Sequence, residues 1–332
     1  MNMKSNSGQK EILLQISHVS KYYSLKQSWL SKERQILKAV DDISFDLYKG
    51  EALGVVGESG CGKTTLGKTM LHLLEADAGT VLFHGQDILK LRGKELRQFR
   101  RAAQIVYQDP YTSLNPRNTI GKIIGEPLKI QKIEKNREQI KDKVKQMLRV
   151  VGLNEDFYDR YPFECSGGQR QRVGIARALI MNPQFIVCDE AVSALDVSTQ
   201  SQIINLLSDI QKEFELTYIF ISHGLSVVRH LCDRIMVMYL GKVVEIADCE
   251  EIYDNPLHPY TQALFSAISL PDPQKKKNRI MLEGDVPNPM HIPEGCPFHT
   301  RCKYADDRCK RERPALTEVE NEHMVACHRY SA

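Results

Sequence analysis

Three short segments of this chain carry residues whose types and spacing suit phosphate chemistry. The first is GESGCGKT, residues 57–64, which fits G-x-x-x-x-G-K-[ST] between the apolar run LGVV and a helical pattern. Gly57, Gly60 and Gly62 let the backbone curl so that successive N–H groups face one centre, and the following helix adds its partial positive end. Lys63 then supplies a point charge to the β- and γ-phosphates of a nucleotide, and the Thr64 hydroxyl is a ligand for Mg2+. The second segment is FIVCDE, residues 185–190. A buried strand ending in Asp189 can hold the Mg2+ side of such a site, and Glu190 then faces the γ-phosphate, where it can orient and deprotonate an attacking water. Alone, an Asp–Glu pair after a strand is usually a solvated turn; its place downstream of the phosphate loop reverses that reading. The third segment is CSGGQRQRVGIARAL, residues 165–179, where Ser166, Gly167 and Gly168 again present a hydroxyl and backbone N–H groups at a helix start. Two phosphate-binding helix starts in one domain are unusual. The simple physical resolution assigns them to opposite halves of a composite site between two subunits.

The elements that must position these residues alternate between strand-like and helical runs, which predicts an α/β core with a mainly parallel sheet. Strand-length apolar segments are ILLQI, ALGVVG, AAQIVYQ, QFIVCD, LTYIFIS, RIMVMYL and KVVEIA. Helices are expected over Lys68 to Leu74, Gln139 to Val151, Gly168 to Ile180 and Ser198 to Phe214. The polar stretch from Ser24 to Arg34 reads as a loop, and PDPQKKKNR from Pro271 has the Pro and charge content of a linker, with a domain boundary there. Its KKK run, residues 275–277, reads as a solvated linker face rather than a lipid contact. No repeat of solenoid or propeller period is visible.

The chain's 332 residues suffice for a large α/β domain with appended segments. With 42% hydrophobic and 26% charged residues it is neither disordered nor fibrous. A net charge of +3 makes no global case for nucleic acid or an anionic membrane as the main partner. Apolar runs such as those from Ala52 and Tyr218 fall far short of the ~20 residues that span a bilayer. The first ten residues lack an apolar signal core, so a cytoplasmic chain is expected.

On these motifs the chain resembles the nucleotide-binding subunit of an ABC transporter, over about residues 11–330. Seven elements occur in the family's order: Tyr23, the Walker A loop at 57–64, Gln108, SGGQ at 166–169, the Walker B strand ending at Asp189 and Glu190, SALD at 193–196, and His223. The resemblance implies a P-loop NTPase fold. It comprises a RecA-like core, a small antiparallel β portion near the N-terminus and a helical subdomain from about Arg92 to Leu179. It implies ATP and Mg2+ as ligands. Gly57, Ser59, Gly60, Cys61, Gly62, Lys63, Thr64 and Thr65 are expected around the phosphates, and Tyr23, rather than the adjacent Tyr22, on adenine. Thr64, Gln108 and Asp189 are expected at Mg2+, with Gln108 also relaying to the membrane subunit. Glu190 is the expected general base, with His223, Lys63 and Gln108 assisting catalysis. Ser166, Gly168 and Gln169 would bind ATP held by the opposite subunit, and Asp196 would couple the two sites. Cys165 departs from the Leu usual before SGG, but a small apolar Cys can fill that role. Cys61 suggests a thiol whose alkylation blocks ATP binding.

A narrower resemblance, carried by YQDPYTSLNPR (107–117), NPLHPYTQAL (255–264) and GDVPNPMHIPEGCPFHTRC (284–302), is to the ATP-binding subunits of oligopeptide and dipeptide importers. It implies a second homologous ATPase chain forming a heterodimer, two integral membrane permease subunits and an extracytoplasmic substrate-binding protein. This chain would sit peripherally on the cytoplasmic face of the membrane, without nucleic acid. Relatives of the subgroup carry nickel, glutathione or sugars, so "importer" is firmer than "peptide". A soluble ABC ATPase acting on ribosomes or DNA usually has two ATPase domains or a coiled-coil insert, which this chain lacks. A non-catalytic subunit is disfavoured by intact Lys63, Asp189, Glu190 and His223. The tail, residues 271–332, holds Cys296, Cys302, Cys309 and Cys327 in the spacing C-x5-C-x6-C-x17-C, with His299 and His328 nearby. This is not the short C-x2-C pairing of zinc ribbons, yet four thiolates suit Zn2+ or an iron–sulfur cluster, and reduced structural thiols are the third reading. Similar tails in peptide-importer ATPases are associated with a [4Fe–4S] cluster.

Overall fold

The computed structural model describes residues 10–26, 34–267, 280–320 and 322–330. Strands β1 (Ile12–Lys26), β2 (Arg34–Tyr48), β3 (Ala52–Val56), β4 (Ala78–Phe83), β5 (Gln86–Asp87) and β6 (Ala103–Val106) come from the first third of the chain. They are followed by β7 (Phe185–Asp189), β8 (Thr217–Ile221), β9 (Arg234–Tyr239), β10 (Lys242–Asp248), β11 (Thr317–Glu320) and β12 (His323–Val325). An antiparallel sheet runs β2-β1-β4-β5, and the main sheet runs β11-β12-β10-β9-β3-β8-β7-β6. From β9 to β6 every pairing is parallel.

The central strands β3, β7 and β8 are buried along their whole length, which is why they read as unbroken apolar runs. Side chains alternate across the sheet, so consecutive residues feed two cores. Ile186, Cys188, Tyr218, Phe220, Val237 and Tyr239 pack on one face, with the helices Ile120–Ile130, Arg137–Val150 and Gly167–Leu179. Val187, Ile219, Ile221, Met236 and Met238 pack on the other, against Leu14, Ile16 and Val81 of the antiparallel sheet. The register sets Val55 and Asp189 both beside Ile221, and Val106 beside Cys188, so four strands end at one carboxyl edge. That edge is where an open parallel sheet offers a ligand crevice.

The structure revises the bounds of two expected elements. The helix after the phosphate loop is Lys63–Met70, not Lys68 to Leu74, because the end of the loop is itself the first helical turn. Strand β1 continues through Lys26 where a loop from Ser24 was expected, pairing with β2 as far as Arg34; residues 27–33 lie outside the described set. The linker from Pro271, its KKK run and the boundary placed there also lie outside it. The helical stretch from Arg92 to Leu179 includes one edge strand of the main sheet, β6. The tail is knitted into the core: β12 pairs with β10, and Cys296 and Phe298 join the larger buried cluster. No helix among the described residues is long and apolar enough to cross a membrane.

Candidate active site

The phosphate loop leaves β3 at Val56 and becomes helical at Lys63. Gly62 caps that helix with φ +106°, and an added Cβ would lie 1.9 Å from the Ala39 carbonyl oxygen, so a side chain meets both strain and backbone there. This helix start carries no side-chain cap, which leaves its first N–H groups for a ligand. Lys63 is buried, and its Nζ donates to the carbonyls of Gly57 (2.9 Å) and Glu58 (3.0 Å), folding the side chain back over the loop. Ser59 and Gly60 are exposed at the loop tip, and Thr65 is half-buried in the helix's first turn.

Beside the loop, the Thr64 hydroxyl donates to Asp189 Oδ1 at 2.6 Å. Burial pushes the Asp189 carboxyl above the usual carboxylate range, opposed by the Thr64 bond. A hydroxyl and a carboxylate oxygen at one point are hard donors of the kind Mg2+ takes. Glu190 follows with φ +50°, a left-handed conformation uncommon outside glycine, and its N–H is held by the Ile221 carbonyl at 3.0 Å. Its carboxylate is gripped on both sides. Gln108 Nε2 donates to Oε2 at 2.7 Å, and His223 Nε2 pairs with Oε1 at 2.6 Å. Gln108 also reaches Ser193 Oγ at 3.4 Å, and that hydroxyl donates to the Glu190 carbonyl at 3.0 Å. Residues from the ends of β3, β6, β7 and β8 thus meet at one edge.

Ser166, Gly168, Gln169 and Asp196 form a different group. Ser166 and Gln169 close a capping box at the start of Gly167–Leu179: the Gln169 N–H donates to Ser166 Oγ (3.3 Å) and the Ser166 N–H to Gln169 Oε1 (2.9 Å). A Cβ on Gly168 would lie 2.4 Å from Thr199 Cγ2, so glycine lets this helix start meet the next one closely. Asp196 caps Val197–Phe214, accepting from the Thr199 N–H (2.9 Å) and from the Ser198 (2.6 Å) and Thr199 (2.8 Å) hydroxyls, which hold its carboxyl well below the usual range. Among the described residues, none of these four hydrogen-bonds to the phosphate loop.

Tyr22 and Tyr23 point to opposite sides of β1. The Tyr22 hydroxyl donates to Asp41 Oδ1 at 2.6 Å, which commits that ring to packing, whereas Tyr23 has Lys21 Nζ 5.7 Å from its ring centre. Cys165 is buried with Sγ near the Tyr161 carbonyl, at 3.6 Å, in keeping with an apolar role. Cys61 lies within the phosphate loop. It is 3% exposed, and burial pushes its thiol up, away from the thiolate that alkylation needs. Cys296, Cys302, Cys309 and Cys327 line one small pocket with His299 and His328, and burial pushes the Cys296 thiol up to about 11. The donor types suit a metal or cluster, but among the described residues no three His, Cys, Asp or Glu side chains are arranged to hold a metal ion. The iron–sulfur expectation therefore gains a shared pocket and no formed ligand set.

Contacts between distant segments carried no sequence signal. Glu58 pairs with Arg301 of the tail at 3.1 Å, and Asp41 with Arg313 at 3.0 Å, across more than two hundred residues.

Comparison with known proteins follows the same outline. The ABC transporter family pattern matches residues 40–193, and that of the oligopeptide/dipeptide transporter C-terminal region matches residues 244–309. The oligopeptide transport ATP-binding protein AppF of Bacillus subtilis is 51% identical over 325 residues, covering 97% of this chain and 98% of its own. OppF of Escherichia coli, also an oligopeptide transport ATP-binding protein, is 47% identical over 322 residues, covering 96% of each chain. Among solved structures, the ATP-binding cassette MJ0796, a dimer in a post-hydrolysis state bound to ADP and Pi, matches with a TM-score of 0.62 and 27% identity, covering 71% of this chain and 98% of that one. The cbiO1 protein of Clostridium perfringens, part of the ABC transporter complex cbiONQ, matches with a TM-score of 0.62 and 26% identity, covering 74% and 92%.

Proposed function

We propose a mechanism for this site on the ground that the chain belongs to a known family, the ATP-binding subunits of ABC transporters, in its oligopeptide-importer branch. The chain is an ATPase, the ATP-hydrolysing subunit of a peptide importer. In our reading the triphosphate lies on the uncapped helix start, with Gly57, Ser59, Gly60, Cys61, Gly62 and Thr65 around it. Lys63 swings from the loop carbonyls to the β- and γ-phosphates, and Tyr23 stacks on adenine. Thr64, Asp189 and Gln108 would hold Mg2+, which when bound offsets phosphate charge. Glu190 takes the proton of the attacking water. Its two oxygens are already aimed by Gln108 and His223, so the base pays little reorganisation at the moment of attack, and His223 is free to turn toward the γ-phosphate. The observation that carries this reading is that one carboxylate, Glu190, is held from both sides next to the Thr64–Asp189 pair.

Ser166, Gly168 and Gln169 serve the nucleotide of a second, homologous ATPase chain, and Asp196 couples the two sites through the helix it caps. We place this heterodimer on the cytoplasmic face of the membrane, on two permease subunits fed by an extracytoplasmic binding protein. Exposed aromatic side chains suit such docking: Tyr111, three residues after Gln108, and Phe163 are about two-thirds exposed, and Phe163 stacks on Tyr161 at 5.5 Å. For the tail we propose a [4Fe–4S] cluster on Cys296, Cys302, Cys309 and Cys327, supported by their shared pocket. Such a cluster, when bound, would staple the tail and supply a redox centre. Iron and acid-labile sulfide after anaerobic purification test it: about four of each per chain, lost in Cys296→Ser, support it, and zinc or no metal overturns it.

ATP turnover of the reconstituted transporter tests the main reading. Lys63→Ala is expected to lower turnover about a hundredfold. Stimulation by peptide-loaded binding protein, and not by nickel, glutathione or sugar, supports the cargo; stimulation by one of those others reassigns it.

A further inference from the structure

The phosphate loop carries a carboxylate of its own. Glu58 is the second residue of GESGCGKT, and the ligand proposed for this loop is a polyanion, so an uncompensated Glu58 would oppose binding. The compensating charge comes from the tail. Arg301 Nη1 lies 3.2 and 3.1 Å from the two Glu58 carboxylate oxygens and 3.5 Å from the Tyr239 hydroxyl. The side chains are 8% and 28% exposed, so solvent screens this pair less than a surface one.

Arg301 ends a short turn, His299–Arg301, anchored by the almost fully buried Phe298, whose carbonyl accepts the Arg301 N–H at 3.0 Å. Phe298 packs edge-on against Tyr239 and also against Tyr260, with ring centres 5.3 and 5.5 Å away. The Tyr260 hydroxyl in turn accepts the Glu58 N–H at 2.9 Å. Glu58 is therefore fixed through its N–H and its carboxylate by this support. Its carbonyl is one of the two that seat Lys63 Nζ. A shift of Glu58 moves the seat of the lysine that meets the phosphates.

We infer that Arg301 is a positioning residue of the ATP site: by neutralising and holding Glu58 from the C-terminal tail, it sets the phosphate loop's affinity for nucleotide. The inference rests on the ATP site proposed above. Arg301 touches no reacting atom, so its effect falls on binding rather than on the chemical step.

The test is a titration of full-length chains with a fluorescent, slowly hydrolysed ATP analogue and Mg2+, alongside thermal melting. Arg301→Met is expected to weaken binding about tenfold, a typical size for coupling between adjoining sites. Because the fault is an unpaired carboxylate, Glu58→Gln added to Arg301→Met is expected to recover most of that loss, whatever the melting temperatures do. Wild-type affinity in a folded Arg301→Met chain overturns the inference. So does a double variant as weak as Arg301→Met, since that is the behaviour of lost packing. If Arg301→Met does not fold, Arg301→Lys replaces it: retained binding that Arg301→Gln loses supports the charge role, and equal binding by both overturns it. A wild-type chain that binds no better than Lys63→Ala overturns the ATP reading itself and the inference with it; normal wild-type binding confines any failure to Arg301.

Discussion

Two helix starts in this molecule were expected to bind phosphate, and they are built in opposite ways. The helix Lys63–Met70 begins at a glycine with no side-chain cap, and the groups around it point into a common space from four strand ends. The helix Gly167–Leu179 begins with a closed capping box, and the neighbouring Val197–Phe214 is capped by Asp196. An uncapped start keeps all its first N–H groups for a ligand, whereas the capping box takes up the Gln169 N–H of its own helix and leaves those of Gly167 and Gly168. The difference separates a half-site organised within this chain from a half-site whose ligand, in our reading, arrives on another chain.

Four changes break or sharpen this contrast. Glu190→Gln removes the proposed base from the organised half and is expected to cut turnover by about a hundredfold or more while nucleotide still binds; steady-state hydrolysis beside equilibrium binding checks it, and near-normal turnover removes the assignment. Gly62→Ala forces a Cβ onto the Ala39 carbonyl at the uncapped start, with an expected affinity loss of about tenfold by nucleotide titration. Ser166→Ala opens the capping box, costing about 1 kcal/mol of stability by chemical denaturation. It should leave this chain's own nucleotide affinity unchanged. Smallest of all is the effect of a thiol reagent on the folded chain, where burial, which also pushes the Cys61 thiol up, is expected to make labelling slow and the loss of ATP binding less than twofold over the assay; rapid Cys61 labelling, followed by mass spectrometry, would contradict this, and loss of binding in the labelled chain would support the expectation that alkylation there blocks ATP.

How legible these regions were depends on the range of the interaction. Buried parallel strands announce themselves as apolar runs, so β3, β7 and β8 could be read from the chain. The capping box is local, Ser166 three residues before Gln169, and Asp196 before Val-Ser-Thr is an equally local cap. The start of the phosphate-loop helix was misplaced because Lys63, Thr64 and Thr65 belong at once to a binding loop and to a first helical turn, and β-branched threonines give weak helical preference. The grip on Glu190 joins residues 82 positions apart, and only the ordered motifs hinted at it. The tail's attachment left no trace. A three-residue strand, His323–Val325, and an arginine 243 positions from Glu58 have no periodicity to read, yet they join the C-terminal extension to the core sheet and to the phosphate loop.

The most direct measurement is the ATP-dependent mass of this chain mixed with the second, homologous ATPase chain proposed above, by sedimentation in a Glu190→Gln background, with and without Ser166→Arg. ATP is expected to drive the two chains together, and Ser166→Arg, which fills the capped helix start, to abolish this while leaving nucleotide bound to Lys63–Met70. Pairing that is indifferent to Ser166→Arg would contradict a site shared between two chains.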